Sequence, residues 1–249
     1  MQIQIMSAVV TAALIAVPRL FDPTLAVKVA EVRDGTVRLS YTAREGVCGN
    51  GENISTSSGR RNEWQSDCQD GPVRLVLERH GGKTTHIRAY VGGQWRGSAT
   101  RDLGQVPAAE AGKYLLWLAE QDEPAADDAI FPATIADSTE AWPTLLRIAK
   151  SSQATTKARK AAIFWVGQAA ADEATKGLDD LANDNQQDRE VRESALFALS
   201  QQPASKGIPA LIRVAKTSKD PKLRRTALFW LGQSEDPAAI RLFEEILSN

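Results

Sequence analysis

The chain has 249 residues, which is enough for one large domain or two modest ones. An apolar fraction of 43% and a charged fraction of 24% are those of an ordinary soluble globular protein. The formal net charge of −1 excludes a global field that would recruit nucleic acid or an anionic membrane. The one strongly one-signed stretch is 105–139, with one basic and seven acidic side chains.

The N-terminus is predicted to carry an export signal. Ile5–Val17 is an uncharged apolar run of thirteen residues, too short to span a bilayer comfortably but as long as the core of a signal peptide. Thr24 and Ala26 place small residues at the usual cleavage positions, so the predicted signal peptide is 1–26. Because no Lys or Arg precedes the apolar run, a short buried helix or a true start at Met6 stays open.

The cysteines agree with export. Cys48 and Cys68 are the two cysteines of the chain and lie in the same loop-rich region. In an oxidising compartment they would pair and stabilise the fold by roughly 3 kcal/mol in the chain-entropy account, while reduced thiols are the alternative. Together with His80 and His86 they lack the spacing of a zinc site, so neither a metal nor a cofactor is expected. The expected location is the periplasm or the extracellular space, with no membrane span in the mature protein.

Residues 27–104 are predicted to form a small antiparallel β domain. Apolar and polar side chains alternate in 27–41, around an Asp-Gly pair, and again in 73–91, around a Gly-Gly pair. These patterns predict two hairpins, the first of which begins at Val27. Between them, 46–70 is a Gly-, Ser- and Asn-rich loop that holds both cysteines, and loops of this length are usually functional or disordered.

A repeat dominates the rest of the chain. The segments 157–168, 190–201 and 222–233 align at offsets of 33 and 32 residues, with identical Arg, Ala, Phe and Gln columns. A weaker copy of the pattern occurs in 107–137, which we interpret as a worn first pair. Self-similarity of this period is typical of helical solenoids, so about four helical pairs and one closing helix are predicted for 105–249.

A second motif recurs between these segments. Residues 142–150 (WPTLLRIAK) match 208–216 (IPALIRVAK) at an offset of 66 residues, which is twice the period. Together with DPKLRRTALFWLGQ at 220–233, this order resembles the HEAT family, particularly the bacterial HEAT-like repeats also found in phycobilin lyases. The resemblance covers 140–249 well and 107–139 loosely, and it does not reach the β domain.

The resemblance implies a right-handed superhelix in which the second helix of each pair lines the concave side. A polar groove is expected there, and its candidate partner-binding residues are Lys160, Phe164, Gln168, Glu193, Phe197, Gln201, Arg225, Phe229 and Gln233. The alternative is a solvated face with phenylalanines packed between repeats. An Arg at one repeat column commonly ladders to acidic residues in neighbouring turns, which implies a structural role for Arg159, Arg192 and Arg224. Asp188 and Asp220 are the available acidic partners.

The sequence therefore predicts an α+β multidomain protein, with a small antiparallel β domain followed by an α-solenoid of about four HEAT-like helical pairs. We expect an exported scaffold that binds a protein or peptide partner in the concave groove. It is expected not to be an enzyme, since the chain has no nucleophile, phosphate-loop or metal-protease motif. A nucleic-acid partner is not expected, because acidic residues balance the basic ones.

Two alternatives to the scaffold stay open. The β domain could recognise a ligand by itself, with the solenoid as a spacer. The chain could also be a lyase-type enzyme subunit, because HEAT-like repeats occur in lyases that attach bilin pigments. The sequence indicates neither the identity of a partner nor the oligomeric state.

Overall fold

The computed structural model of the chain describes residues 23–56, 68–95, 97–169 and 171–248. The core of the predicted signal peptide, Ile5–Val17, lies outside the described residues.

The first element is a helix, α1, over Pro23–Ala30, so the prediction of a strand at Val27 is wrong. Leu25, Val29 and Val32 are buried, whereas Val27 is 57% exposed. Buried positions four and three residues apart lie on one face of a helix, and this spacing prevails over the short alternating pattern.

Six strands follow in the described residues, and four of them form the main sheet in the order β5-β4-β1-β6. The strands are β1 Gly35–Tyr41, β2 Cys48–Asn50, β3 Asn53–Ser55, β4 Val73–His80, β5 Lys83–Tyr90 and β6 Arg101–Gln105. The antiparallel β4–β5 hairpin is the one predicted for 73–91, whereas β1 pairs antiparallel with β4 and not with a strand before it. β6, at the expected domain boundary, adds a parallel edge strand to β1.

Nine helices form the remainder of the described chain, with a short 3₁₀ turn at Asp127–Ala129. They are α2 Ala108–Ala119, α3 Ile130–Thr134, α4 Trp142–Lys150, α5 Thr156–Gly167, α6 Asp172–Asn183, α7 Arg189–Ser200, α8 Ala204–Thr217, α9 Pro221–Gly232 and α10 Pro237–Leu247. The pairs α2/α3, α4/α5, α6/α7 and α8/α9 stack in order, and α10 packs last on α8 and α9. The predicted solenoid of four pairs and a closing helix is confirmed, and the short α3 is the worn member of the first pair.

The sheet covers the N-terminal end of this helical stack. The Tyr41 hydroxyl donates to the backbone O of Pro132 at 2.7 Å, and the Arg44 N–H donates to the O of Ile135 at 2.9 Å. Burial raises the pKa of Tyr41 above its ordinary value, so the phenol stays a neutral donor. Sheet and helices share one continuous buried core. The sheet therefore acts as the cap that a solenoid end requires.

A disulfide closes the loop between the hairpins. Cys48 in β2 is bonded to Cys68, and Gly49 exchanges two backbone hydrogen bonds of 2.9 Å with Gln69. Of the two pairing states that the sequence left open, the structure has the disulfide. Residues 57–67 of this loop lie outside the described part of the chain.

Candidate interaction surface on the second helices

Two of the four second helices, α3, α5, α7 and α9, begin at a side-chain cap. The Thr155 hydroxyl accepts from the N–H of Ala158 at 3.1 Å, and an Asp220 carboxylate oxygen accepts from the N–H of Lys222 at 2.8 Å. In each of these helices a buried stripe packs inward and leaves the opposite side facing solvent. All nine predicted groove residues lie on that side, and Lys160, Phe164, Gln168, Glu193, Phe197, Gln201, Arg225, Phe229 and Gln233 are here called the second-helix face.

Two of the phenylalanine positions are partly covered by a tryptophan of the following repeat. Phe131 of α3 stacks on Trp165 of α5, with ring centroids 5.4 Å apart. Phe197 of α7 meets Trp230 of α9 at 5.2 Å. Phe197 is therefore half-buried, and the pairing of aromatic rings joins one repeat to the next.

Phe164 and Phe229 stay exposed. Phe164 is 41% exposed, because the position that holds a tryptophan in the other repeats is Ala198 in the next helix. Ala198 also lets α5 and α7 approach closely, since a Cβ added to Gly167 would lie 2.9 Å from its Cβ. Phe229, on the last second helix, is 56% exposed. The face thus presents two large aromatic side chains to solvent.

The charged column is not uniform. Lys160 pairs with Glu190 of the next second helix at 3.4 Å, so it tethers neighbouring repeats as well as facing solvent. Glu193 is half-buried, and its charge acts on Arg189. Arg225 is exposed and forms no hydrogen bond or ion pair with a described residue. Among the three predicted charged positions, Arg225 is the one available to an outside group.

The arginine column forms a ladder of a different kind from the one expected. Arg159 does reach Asp188, at 2.9 Å, but its Nε also donates to the backbone O of Ala149 at 3.1 Å. Arg192 and Arg224 similarly donate to carbonyls at the ends of their own first helices, Ala182 and Ser218. These carbonyls lack a helical partner, and a cation suits the negative end of the helix dipole. Asp220, the second expected partner, pairs instead with Arg189 at 2.9 Å.

The first helices, α2, α4, α6, α8 and α10, show the opposite arrangement on their outer side. Their charges pair across neighbours, as Arg147–Glu120 at 2.7 Å, Lys150–Asp180 at 3.9 Å, Arg213–Asp179 and Lys216–Glu245 at 2.7 Å. Burial raises the pKa of Asp179, and Arg213 opposes that shift. These ion pairs are called the first-helix ladder.

A cleft of about 340 Å³ lies at the C-terminal ends of the early second helices. It is lined by Trp165 and Gln168 of α5, and by Trp142 and Arg44 from neighbouring segments. Sequence reasoning found Gln168 through its repeat column but not Trp142, since no other repeat has an aromatic residue at that place. No cluster able to hold a metal ion occurs in the described residues, and none of their helices is long and apolar enough to cross a membrane.

Comparison with known families matches residues 185–249 to HEAT repeats. This part of the chain is HEAT-like. The match covers α7 to α10, and the described helices before it repeat the same pairing, so the HEAT-like architecture extends toward the sheet. No curated protein matches the chain.

Proposed function

We propose that the protein is an exported interaction scaffold that binds a protein or peptide partner on its second-helix face, without a catalytic step. HEAT repeats are commonly interaction scaffolds, and the matched region supplies that architecture. The observation that carries the proposal is the exposure of Phe164 and Phe229 on the same face as Arg225. Aromatic residues and arginine dominate the energetics of protein interfaces.

The chemistry of this face describes the partner it would take. Two exposed rings favour apolar or aromatic side chains, and Arg225 favours a carboxylate beside them. Because these side chains project from packed helices, little backbone ordering is required on association. No lyase chemistry of the kind found in phycobilin lyases is proposed for this chain.

The alternative of a β domain that binds alone has less support. Its buried residues belong to the same core as the helices, and Tyr41 and Arg44 are bonded directly to the α3 region. A spacer would not need such a joint. The sheet is therefore part of the stack and not a separate binding module.

Photo-crosslinking tests the proposed face. A benzoylphenylalanine introduced at Phe164 or Phe229 is expected to trap a defined partner in native extracts, whereas one at Lys176, exposed on first helix α6, is not. Arg225→Glu should reduce the trapped product, with Arg241→Glu on α10 as the matched control. Equal crosslinking from Lys176, or an equal effect of both charge reversals, would contradict the assignment. The combined Lys160→Glu, Arg225→Glu variant should keep its thermal stability, because Lys160 contributes only an exposed ion pair.

The disulfide supports export, because such bonds persist in oxidising compartments. Leu25 is fully buried in α1, so cleavage after Ala26 would remove a core side chain worth roughly 2 kcal/mol of burial. N-terminal sequencing of protein from its native cells shows whether and where the chain is cleaved. Thiol counting on the same protein shows whether Cys48 and Cys68 are bonded. A blocked or intact Met1 with two free thiols would refute export.

A further inference from the structure

The outer edge of β5 is incompletely paired. β5 is an edge strand of the main sheet, with β4 as its one neighbour there. Val91, which follows β5, exchanges hydrogen bonds of 2.9 and 3.0 Å with Gly51, so its N–H and C=O point away from β4. Because the direction of backbone groups alternates along a strand, those of Ala89 and Ile87 point to the same open side.

Both ends of this edge carry backbone hydrogen bonds from other segments, and its middle carries none from a described residue. At the start of β5 the C=O of Thr84 accepts from the N–H of Ala125 at 3.2 Å. Between that bond and the Gly51 bridge, no backbone hydrogen bond from another described segment reaches Ile87 or Ala89. An open row of edge donors and acceptors is a template for another chain. An extended segment of about four residues fills such a gap.

A groove of about 360 Å³ lies along this open edge. Its apolar lining comes from Ile54 of β3 and from Phe131 and Pro132 of α3. Phe131 is the ring that stacks on Trp165, so the groove adjoins the second-helix face. A strand added to β5 would place alternate side chains against this lining.

The polar lining of the groove is acidic. Glu52, Asp127 and Asp128 line it, and Lys157 pairs with Asp127 at 2.6 Å, which leaves Glu52 and Asp128 without an ion pair to a described residue. Arg88, the basic residue of the lining, is held by Glu78 on the neighbouring strand. The local charge therefore complements lysine or arginine and repels acidic residues.

We propose that an extended basic segment of a partner protein binds by adding a strand to β5, with alternate apolar residues against Phe131 and Ile54. Main-chain hydrogen bonds to Ile87 and Ala89 supply affinity, and Glu52 and Asp128 select basic side chains. This site is separate from Arg225 and does not depend on the second-helix proposal.

Amide hydrogen exchange of the full chain tests the open edge. In the free protein the amides of Ile87 and Ala89 should exchange faster than that of Arg88, which bonds to β4. An acetylated hexapeptide of alternating valine and lysine should protect both amides in a saturable manner. Protection of both amides in the free protein would overturn the proposal, since a second copy or another part of the chain would then occupy the edge. No saturable protection up to about 1 mM peptide, the affinity of a very weak complex, would also overturn it.

Variants separate pairing from charge. Ala89→Pro removes one outward N–H and should weaken the valine-lysine peptide by at least about tenfold, the worth of one interfacial hydrogen bond. The neighbouring Arg88→Pro removes a bond to β4 and should lower the thermal midpoint, whereas Ala89→Pro should not. Unchanged binding by Ala89→Pro would rule out strand addition.

The preference between a basic and an acidic peptide tests the charge selection. This measurement does not depend on the Ala89→Pro variant. Glu52→Lys with Asp128→Lys should reverse the preference between the valine-lysine peptide and a valine-glutamate peptide. Glu235→Lys with Glu244→Lys, at the far end of the stack, is the matched control and should leave the preference unchanged. Equal binding of both peptides to the parent protein would refute the acidic selection.

Discussion

The first and second helices of the stack meet solvent in different ways. On the first helices, basic α4 and α8 flank acidic α6, and ion pairs link each neighbour to the next. On the second helices, two phenylalanines and Arg225 remain open to solvent. Charges that are satisfied between neighbours leave little for an outside partner, which is why we propose recognition on the second helices and not on the first.

The same difference explains the 66-residue spacing. Arg147 and Lys150 of α4 correspond to Arg213 and Lys216 of α8, while the helix between them carries Asp179 and Asp180. When basic and acidic first helices alternate, a helix of the same sign recurs after two repeats, which is 66 residues. Along the second helices the phenylalanine column recurs at every repeat, and ion pairs such as Lys160–Glu190 and Arg189–Asp220 also join these helices.

The largest expected change in stability comes from the buried arginines of the second helices, compared with the more exposed first-helix ladder. Arg159→Ala should lower the free energy of unfolding by about 3 kcal/mol, because it strands the Ala149 carbonyl and removes a bond to Asp188. Arg213→Ala, which breaks a more exposed pair on the first-helix ladder, should cost about 1 kcal/mol or less. Urea unfolding of both variants measures the difference, and equal losses would contradict it.

Two glycines of one repeat column should respond with opposite signs. Gly167→Ala should destabilise the protein by about 2 kcal/mol, because the new Cβ would press on Ala198 at 2.9 Å. Gly232→Ala meets only the Phe243 ring at 3.8 Å and should stabilise by up to about 1 kcal/mol through helix propensity. Thermal melts of the two variants provide the check. The same sign for both would mean that the packing of α5 on α7 is not as close as described.

A smaller effect measures the first-helix ladder itself. A double-mutant cycle on Lys216 and Glu245 should give a coupling of about 0.5 kcal/mol that fades with added salt. Arg225→Ala should change stability by less than that, since it has no partner among the described residues. A salt-independent coupling would indicate packing rather than charge.

The smallest effect is a difference in pH dependence. Burial raises the pKa of Asp179, so this group binds its proton more tightly in the folded state and favours folding as pH falls through about 4. Bonds from Arg189 and the Lys222 N–H lower the pKa of Asp220, so its stabilising contribution is present above the ordinary aspartate pKa and is lost as pH falls through the lowered value.

Asn variants reveal the two signs. Asp179→Asn should make the loss of stability between about pH 5 and pH 2 larger, and Asp220→Asn should make it smaller. Urea midpoints across this range measure both changes. Parallel curves for the two variants would disprove the contrast.

Local patterns of the chain determined much of this fold. Repeat columns of Arg, Ala, Phe and Gln predicted the helical pairs, because the period of a buried stripe is a property of the sequence. The Gly81-Gly82 turn and the alternation around it predicted β4 and β5. The nine residues of the second-helix face were found in the same way, since equivalent positions on stacked helices share a direction.

Tertiary structure decided what local patterns could not express. Whether Val27 belonged to a strand or a helix depended on the core available to Leu25 and Val29. Arg159 and Arg192 donate to backbone carbonyls. Every residue has a carbonyl, so the sequence does not show which one an arginine will reach. The open edge of β5 exists because Gly51 and Ala125 reach its two ends and no described segment reaches the middle. Such features depend on distant segments meeting in space, and a single sequence records the residues but not their meeting.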